Sequence, residues 1–402
     1  MLDPSRRHAP ALDGLRALAA LLVIALHVGI YSGQVASSWL GIGEGGALGP
    51  LLSRFTVGVP IFFVLSGLLL YRPFADAALD GRSAPSALVY LWHRALRILP
   101  AYWLVAIVAL VAFGSLGGWP TLRTLLLLGI YEPNGLPLGI TQTWSLATEV
   151  AFYVLLPLLA IGLGRLARRP RGPLAIFLLL EAVTVVAIVL SHRAAAGDYP
   201  LAHLWLPEYL GYFGVGIALA TWSARQARGG RPGPLTAALG RAPWLGWAVA
   251  VAAYVVVSTP LTGSTARYPS IGEALLEHAL YLLIAAALVL PLLVAPGRGP
   301  SRLLSTAVPR ALGRISYGLF LWHMVIVEAW LRLVDQTAGT ADFAVLFPVA
   351  VVGATVAATA SYRLVERPLR RLRPLPERLL ARRTAGGLGE PAAAAVATGA
   401  ER

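Results

Sequence analysis

The chain has no cysteine. That excludes disulfides, a thiolate nucleophile and any cysteine-based metal or cluster site. It has no lysine either; all 33 basic residues are arginine, a bias from which no mechanism follows. Charge is scarce: 13% of the 402 residues are charged, roughly half the fraction of a soluble domain. The sequence also lacks metal-ligand spacing, a phosphate-binding glycine loop, a nucleotide fingerprint and an internal repeat. What it has in abundance is apolar residue, 57% of the chain. These residues gather in runs of about 20, each long enough to cross a bilayer as a helix.

The expected fold is therefore an all-α, polytopic membrane helix bundle. Runs near 12–33, 57–75, 99–117, 143–163, 173–192, 203–222, 243–260, 275–295, 313–334 and 343–362 predict about ten spans. A shorter stretch, Leu122 to Tyr131, is interrupted by Arg123 and reads as re-entrant or interfacial. The segments between runs are too short for a soluble catalytic domain, so chemistry falls to the bundle and its loops. Residues 1–373 form the expected membrane domain. Residues 374–402 read as a basic, then Ala- and Gly-rich cytoplasmic tail without fixed structure. The first run lacks a small-residue cleavage site, so no signal peptide is expected.

A net charge of +14 is not a nucleic-acid signal here, because the arginines cluster between alternate runs. One set of segments holds 28 of them and the opposite set only Arg54, Arg123, Arg193, Arg267 and Arg332. The positive-inside rule then puts both termini in the cytoplasm, with an even number of spans in the plasma membrane.

Against this apolar background a few polar residues stand out. His27 lies within the first run, and an ionisable group at membrane depth marks function by default. Arg16 lies eleven residues before it, which at 100° per residue returns to within about 20°. Asp13 falls on the same face, so all three point into the bundle. Glu149, in TWSLATEVAFY, is counted to the depth of His27 from the outer end of its own run. A carboxylate beside a histidine fixes the tautomer and makes the ring a general base for a hydroxyl. Ser145 is one turn before Glu149, and Trp144 is placed to pack over a substrate.

Other polar positions carry plainer alternatives. Ser66-Gly67 in the second run permits close helix approach, and no base adjoins that serine in sequence. Arg94 and Arg97, at i and i+3, present two guanidinium groups on one face, suited to a phosphate or pyrophosphate. Positive-inside arginine is also expected there. Arg72 and His93 are near them in sequence. The ninth run carries Tyr317, Trp322, His323 and Glu328; His323 either lines the same cavity or is a structural hydrogen-bonding residue. Glu181, Glu208, Glu277 and His278 add to a polar interior that a transporter would share.

Six segments together resemble the integral-membrane acyltransferase family 3. They are LDGLRALAALLVIALH, GVPIFFVLSG, HRALRILPAYW, TWSLATEVAFY, ISYGLFLWH and RLVERP, in family order from about residue 9 to 373. The resemblance implies an O-acyltransferase that moves an acyl group, commonly acetyl from acetyl-CoA, onto a hydroxyl of a carbohydrate or glycosylated metabolite. It implies His27 as base, with Glu149 and Arg16 as further catalytic residues, and Arg94, Arg97 and Arg72 on the CoA side. Asp13, Ser66, Trp144, Ser145, Tyr317 and His323 are then expected around the acceptor, with no metal. Many members carry an Asp before the Phe62-Phe63 pair; this chain has Pro60-Ile61 there, so any role of that acid is absent or displaced. The esterase-like C-terminal domain of some members is also missing, which suggests a stand-alone transferase. The partners implied are the bilayer and the acceptor, not nucleic acid. A transporter or flippase for a glycolipid or small polar solute would explain the polar interior but not the ordered motifs. A catalytically degenerate scaffold would not need His27, Arg16 and Glu149.

Overall fold

A computed structural model describes residues 10–37, 40–43, 45–114, 116–194, 201–264 and 267–378. Those residues form helices and no named strand; two residues, Ser37 and Ile42, make an isolated bridge. The principal helices are α1 (Pro10–Tyr31), α2 (Gly58–Leu79), α3 (Ala87–Phe113), α4 (Gly118–Leu125), α5 (Trp144–Ala167) and α6 (Gly172–Ala194). They continue as α7 (Leu210–Gln226), α8 (Pro234–Arg241), α9 (Trp244–Val257), α10 (Ile271–Val294), α11 (Ala307–Arg314), α12 (Ser316–Leu333) and α13 (Phe343–Ser361). From residue 379 the expected tail lies outside the described residues.

Leucine- and alanine-rich runs with few helix breakers give the long helices. Side-chain caps fix two starts. Ser270 and Glu273 form a reciprocal capping box at α10, and Asp342 Oδ1 accepts from the Ala344 amide at 2.7 Å at α13. On α6 the residues Leu178, Leu179, Val183, Val186 and Leu190 stay exposed, an apolar surface suited to lipid.

Among the described residues seven helices are long and apolar enough to cross a membrane, or eight if α8 and α9, bent by 101°, count as one span. Each of the ten expected runs coincides with a helix, and three of those helices fall outside this criterion on their own. The shortfall has a physical cause: α7 and α9 run only 17 and 14 residues, and α12 carries His323, Glu328 and Arg332 within 18. Polar content suits α7 and α12 to positions held by protein, whereas α9 is apolar throughout and falls short by length alone.

The arginine-rich segments collect at one end. Arg168 Nε donates to the Ala78 carbonyl at 2.8 Å. Arg228 bridges Asp76 at 2.8 Å and Asp80 at 2.7 Å, tying α7 to the end of α2. Hydrogen bonds from Arg228 and Arg82 hold the Asp80 carboxyl well below the usual carboxylate range. This tie is therefore intact at neutral pH and lost only in strong acid.

Helix α2 lies against α7 at backbone distance. A Cβ on Gly67 would sit 2.3 Å from the Phe213 carbonyl oxygen, and one on Gly216 would sit 2.2 Å from that of Val64. The small residue after Ser66 is thus a contact requirement. Gly67→Val is expected to destabilise the fold by about 3 kcal/mol through overpacking, seen as loss of the monodisperse peak in detergent size-exclusion chromatography.

Helix α1 threads between two packed clusters. Its residues Leu12, Leu15, Ala19 and Val23 face the main core. Ala20, Ile24, Val28 and Tyr31 face a second cluster with α12 and α13. This central position brings the polar residues of α1 to the middle of the molecule.

Candidate active site

A cavity of about 560 Å³ opens among α1, α2, α3, α5, α11 and α12. Arg94, Arg97, Arg314, Arg370 and Arg373 line it together with Arg16, Asp13, Ser66, Ser145, Glu149, Tyr153 and Tyr317. Its cationic side belongs to the arginine-rich end. There Arg97 pairs with Glu366 at 2.6 Å, and His93 holds the Arg373 carbonyl at 3.2 Å. The Arg97 guanidinium lies 5.7 Å from the Tyr317 ring centre, and the Tyr317 hydroxyl donates to the Ile98 carbonyl at 2.9 Å. Arg94 Nε is buried with no hydrogen-bond partner among the described residues. An unpaired buried donor is costly unless a ligand meets it.

Deeper in, Glu149 accepts hydrogen bonds from the Ser66 and Tyr153 hydroxyls on the same oxygen, Oε1. Arg16 and Arg94 stand within electrostatic reach of that carboxylate, and Asp13 and Arg97 within reach of Arg16. Ser66 is thus a carboxylate partner as well as a small residue at a helix contact. Tyr153, one turn after Glu149 on the same face, was legible from its i+4 spacing but was not singled out in sequence. Arg314, Arg370 and Arg373 are among the 28 arginines of the basic segments; their arrival at one cavity depends on how α11 and the C-terminal segment fold back.

The expected pairing of His27 with Glu149 is corrected. His27 Nδ1 lies 2.8 Å from the Val23 carbonyl and 3.3 Å from His323 Nε2, the rings being 5.0 Å apart. One turn further along α1, the Tyr31 hydroxyl donates to Glu328 at 2.5 Å. Glu149 instead sits at the level of Arg16, about 16 Å back along α1 at 1.5 Å per residue. The reason is the segment before α5. Trp103 Nε1 donates to the Leu125 carbonyl at 2.9 Å, and Tyr102 to that of Thr124. Gln142 reaches the Leu321 carbonyl at 3.0 Å. Residues 118–143 therefore fold back along α3 and α12. Helix α5 begins inside the bundle, so counting from its first residue overstates how near Glu149 lies to the far end.

Three further placements differ from expectation. Arg72 is outside the cavity; it pairs with Asp76 at 3.1 Å and donates to Ser223 at 3.0 Å. Trp144 is not a cavity wall but packs on Tyr209, ring centres 5.4 Å apart. His323 is fully buried beside His27 rather than lining the cavity. Gly58 packs on Ala19 and Val23, and Val59 next to it lines the cavity. On α1 the cavity is lined by Leu12, Asp13 and Arg16, so it stops eleven residues, roughly 16 Å, short of His27.

A family described as an acyltransferase domain matches residues 10–363. The chain belongs to that family, acyltransferase family 3. Among the curated relatives of this family member, the peptidoglycan O-acetyltransferase OatA of Listeria monocytogenes is 24% identical over 91% of the chain and 56% of its own length. The exopolysaccharide production protein ExoZ of Rhizobium meliloti is 28% identical over 85% of the chain and 96% of its own. The acyltransferase MdmB of Streptomyces mycarofaciens is 28% identical over 92% and 94%. The chain thus spans little more than half the length of the first of these. No solved structure matches. The family match covers the helices that build the cavity and the histidine pair, and it favours group transfer over transport as the use of this polar interior.

Proposed function

We propose that this chain is a membrane O-acyltransferase, moving an acetyl group from acetyl-CoA to a hydroxyl of a cell-envelope carbohydrate or glycosylated metabolite. The observation that carries the reading is one cavity with arginines at its mouth and a hydroxyl-clamped carboxylate at its inner end, pointing along α1 toward a histidine pair. The arginine-rich end faces the cytoplasm, where acyl-CoA is available, and both termini lie on that side. Arg94 and Arg97, with Arg314, Arg370 and Arg373, hold the donor's phosphates; the unpaired Nε of Arg94 suits this task. Donor phosphate competes with Glu366 for Arg97. Acyl-CoA supplies an activated thioester, and the chain's own residues orient it and move the proton.

His27 is half-buried and one turn from the end of α1, so it serves a hydroxyl that enters from the end opposite the arginines. It takes that hydroxyl's proton as general base. Arg16, level with the cavity's carboxylate and on the same helix as His27, offsets negative charge that develops on the acyl oxygen. The names of the relatives, peptidoglycan and exopolysaccharide among them, support a polymeric carbohydrate acceptor in the envelope.

The test supplies labelled acetyl-CoA to inside-out membranes containing the chain and follows label into envelope glycan and extracted-metabolite fractions. Label entering one fraction only when the chain is present supports the reading and identifies the acceptor class. Solute movement with no label transferred would overturn it in favour of transport. Arg94→Ala is expected to raise the KM for acetyl-CoA about tenfold or more with kcat nearly unchanged, the loss of one charge-assisted phosphate contact. Steady-state kinetics on the same membranes check this.

A further inference from the structure

We propose that His323 sets the position of the proton on His27 and so leaves Nε2 of His27 as the basic atom. This rests on the reading of His27 as base, and it follows from which atoms can donate. A carbonyl oxygen only accepts, so a ring nitrogen facing one carries hydrogen. His27 Nδ1 faces the Val23 carbonyl at 2.8 Å. His323 Nδ1 faces the Leu319 carbonyl at 3.2 Å. A neutral imidazole holds a single N–H, so in both resting rings the hydrogen is on Nδ1 and Nε2 is bare.

The bare Nε2 of His323 lies 3.3 Å from Nδ1 of His27. It therefore takes a share of the His27 Nδ1–H, together with the Val23 carbonyl. Two acceptors on one N–H hold that hydrogen where it is. The other nitrogen of His27, Nε2, makes no hydrogen bond among the described residues and remains open to a substrate hydroxyl. His323 is itself fully buried, and its Nε2 has His27 as its hydrogen-bonding neighbour. The Tyr31–Glu328 hydrogen bond, one turn further along α1, keeps α1 and α12 in the register that brings the two rings together.

In the reaction the acceptor's O–H bond breaks and an N–H bond forms at His27 Nε2. The oxygen's electron pair attacks the acyl carbon as the carbon–sulfur bond breaks, and the proton passes from Nε2 to the leaving thiolate. Throughout, the Nδ1–H of the imidazolium points at the lone pair of His323 and the Val23 carbonyl, which stabilise its charge. His323 thus does with a neutral ring what a carboxylate does behind the histidine of a hydrolase triad. It is a positioning residue and does not touch substrate.

The test uses the full-length chain in lipid nanodiscs with ¹⁵N-labelled histidine. A glutamine at 323 carries its amide oxygen near the place of Nε2, and an asparagine carries it near that of Nδ1. His323→Asn is expected to lower kcat about 100-fold with the donor KM unchanged, and His323→Gln to recover most of that loss. The ¹⁵N spectrum should show the His27 proton on Nδ1 in the wild type and in His323→Gln, and no longer confined there in His323→Asn. A wild-type spectrum with the proton on Nε2 overturns the inference whatever the variants do. So do equal losses in the two variants with the His27 tautomer unchanged, since that is a packing role only. The spectrum reports the His27 proton whether or not His27 is the base. If His27→Ala keeps transfer while the tautomer behaves as described, it is the base reading that fails.

Discussion

His27→Ala should abolish measurable acyl transfer, a loss of at least about 10²-fold and up to about 10⁴-fold, the range for a positioned general base. The fold should survive, because the half-buried ring leaves space next to the open end of α1 and its hydrogen bonds go to a carbonyl and to another histidine. Binding of acetyl-CoA should also survive, since the last cavity-lining residue of α1, Arg16, lies roughly 16 Å along the helix from the ring. The check is a matched pair of membranes assayed for label transfer, with donor binding measured by calorimetry on the purified protein. Transfer lost with binding kept assigns the effect to chemistry. Equal transfer by both proteins removes His27 from the mechanism.

Glu149→Ala should be the most damaging substitution in the cavity. It removes the acceptor of two buried hydroxyls, Ser66 and Tyr153, and a counter-charge near Arg16. Leaving each buried hydroxyl unsatisfied costs about 1–3 kcal/mol, so a total near 4 kcal/mol is expected. Transfer should fall with it. Glu149→Gln separates the two contributions: its amide oxygen still accepts from both hydroxyls, so the melting temperature in detergent should return most of the way. Transfer should stay at least tenfold low if the negative charge orients Arg16. Full activity in Glu149→Gln would show that the residue acts only as a hydrogen-bond acceptor.

The two substitutions test two points on one line through the molecule. Arginines collect at the mouth, the carboxylate and Arg16 lie in the middle, and His27 with His323 stands beyond. On the proposed reading the donor and the acceptor hydroxyl approach from opposite ends, and the shortest route between them follows α1. Its place between two packed clusters gives the helix the rigidity that such a route requires.

Much of this was legible in the chain before any coordinates. Long apolar runs require helices, since a backbone in hydrocarbon must satisfy its own hydrogen bonds. The arginine asymmetry sorts the loops to two sides, and the gathering of Arg168, Arg228 and Arg373 at one end agrees with it. The i, i+11 spacing put Asp13, Arg16 and His27 on one face, and Arg94 and Arg97 share a turn. These are properties of a single helix, and helical geometry follows from spacing alone.

What sequence could not settle was which helix meets which, and at what height. The partner of His27 turned out to be His323, almost 300 residues away, because α1 and α12 pack side by side. Glu149 moved from the level of His27 to that of Arg16 because residues 118–143 fold back into the bundle, so α5 starts below the plane from which depth was counted. Arg72, indistinguishable in sequence from Arg94, is committed to Asp76. The cavity takes its walls from six helices and a C-terminal segment. Periodicity along one helix is local, whereas the offset between two helices is decided by side chains meeting in three dimensions. The chain by itself therefore determined its helices, its polarity and its chemically capable residues; only tertiary packing decided which of them stand together.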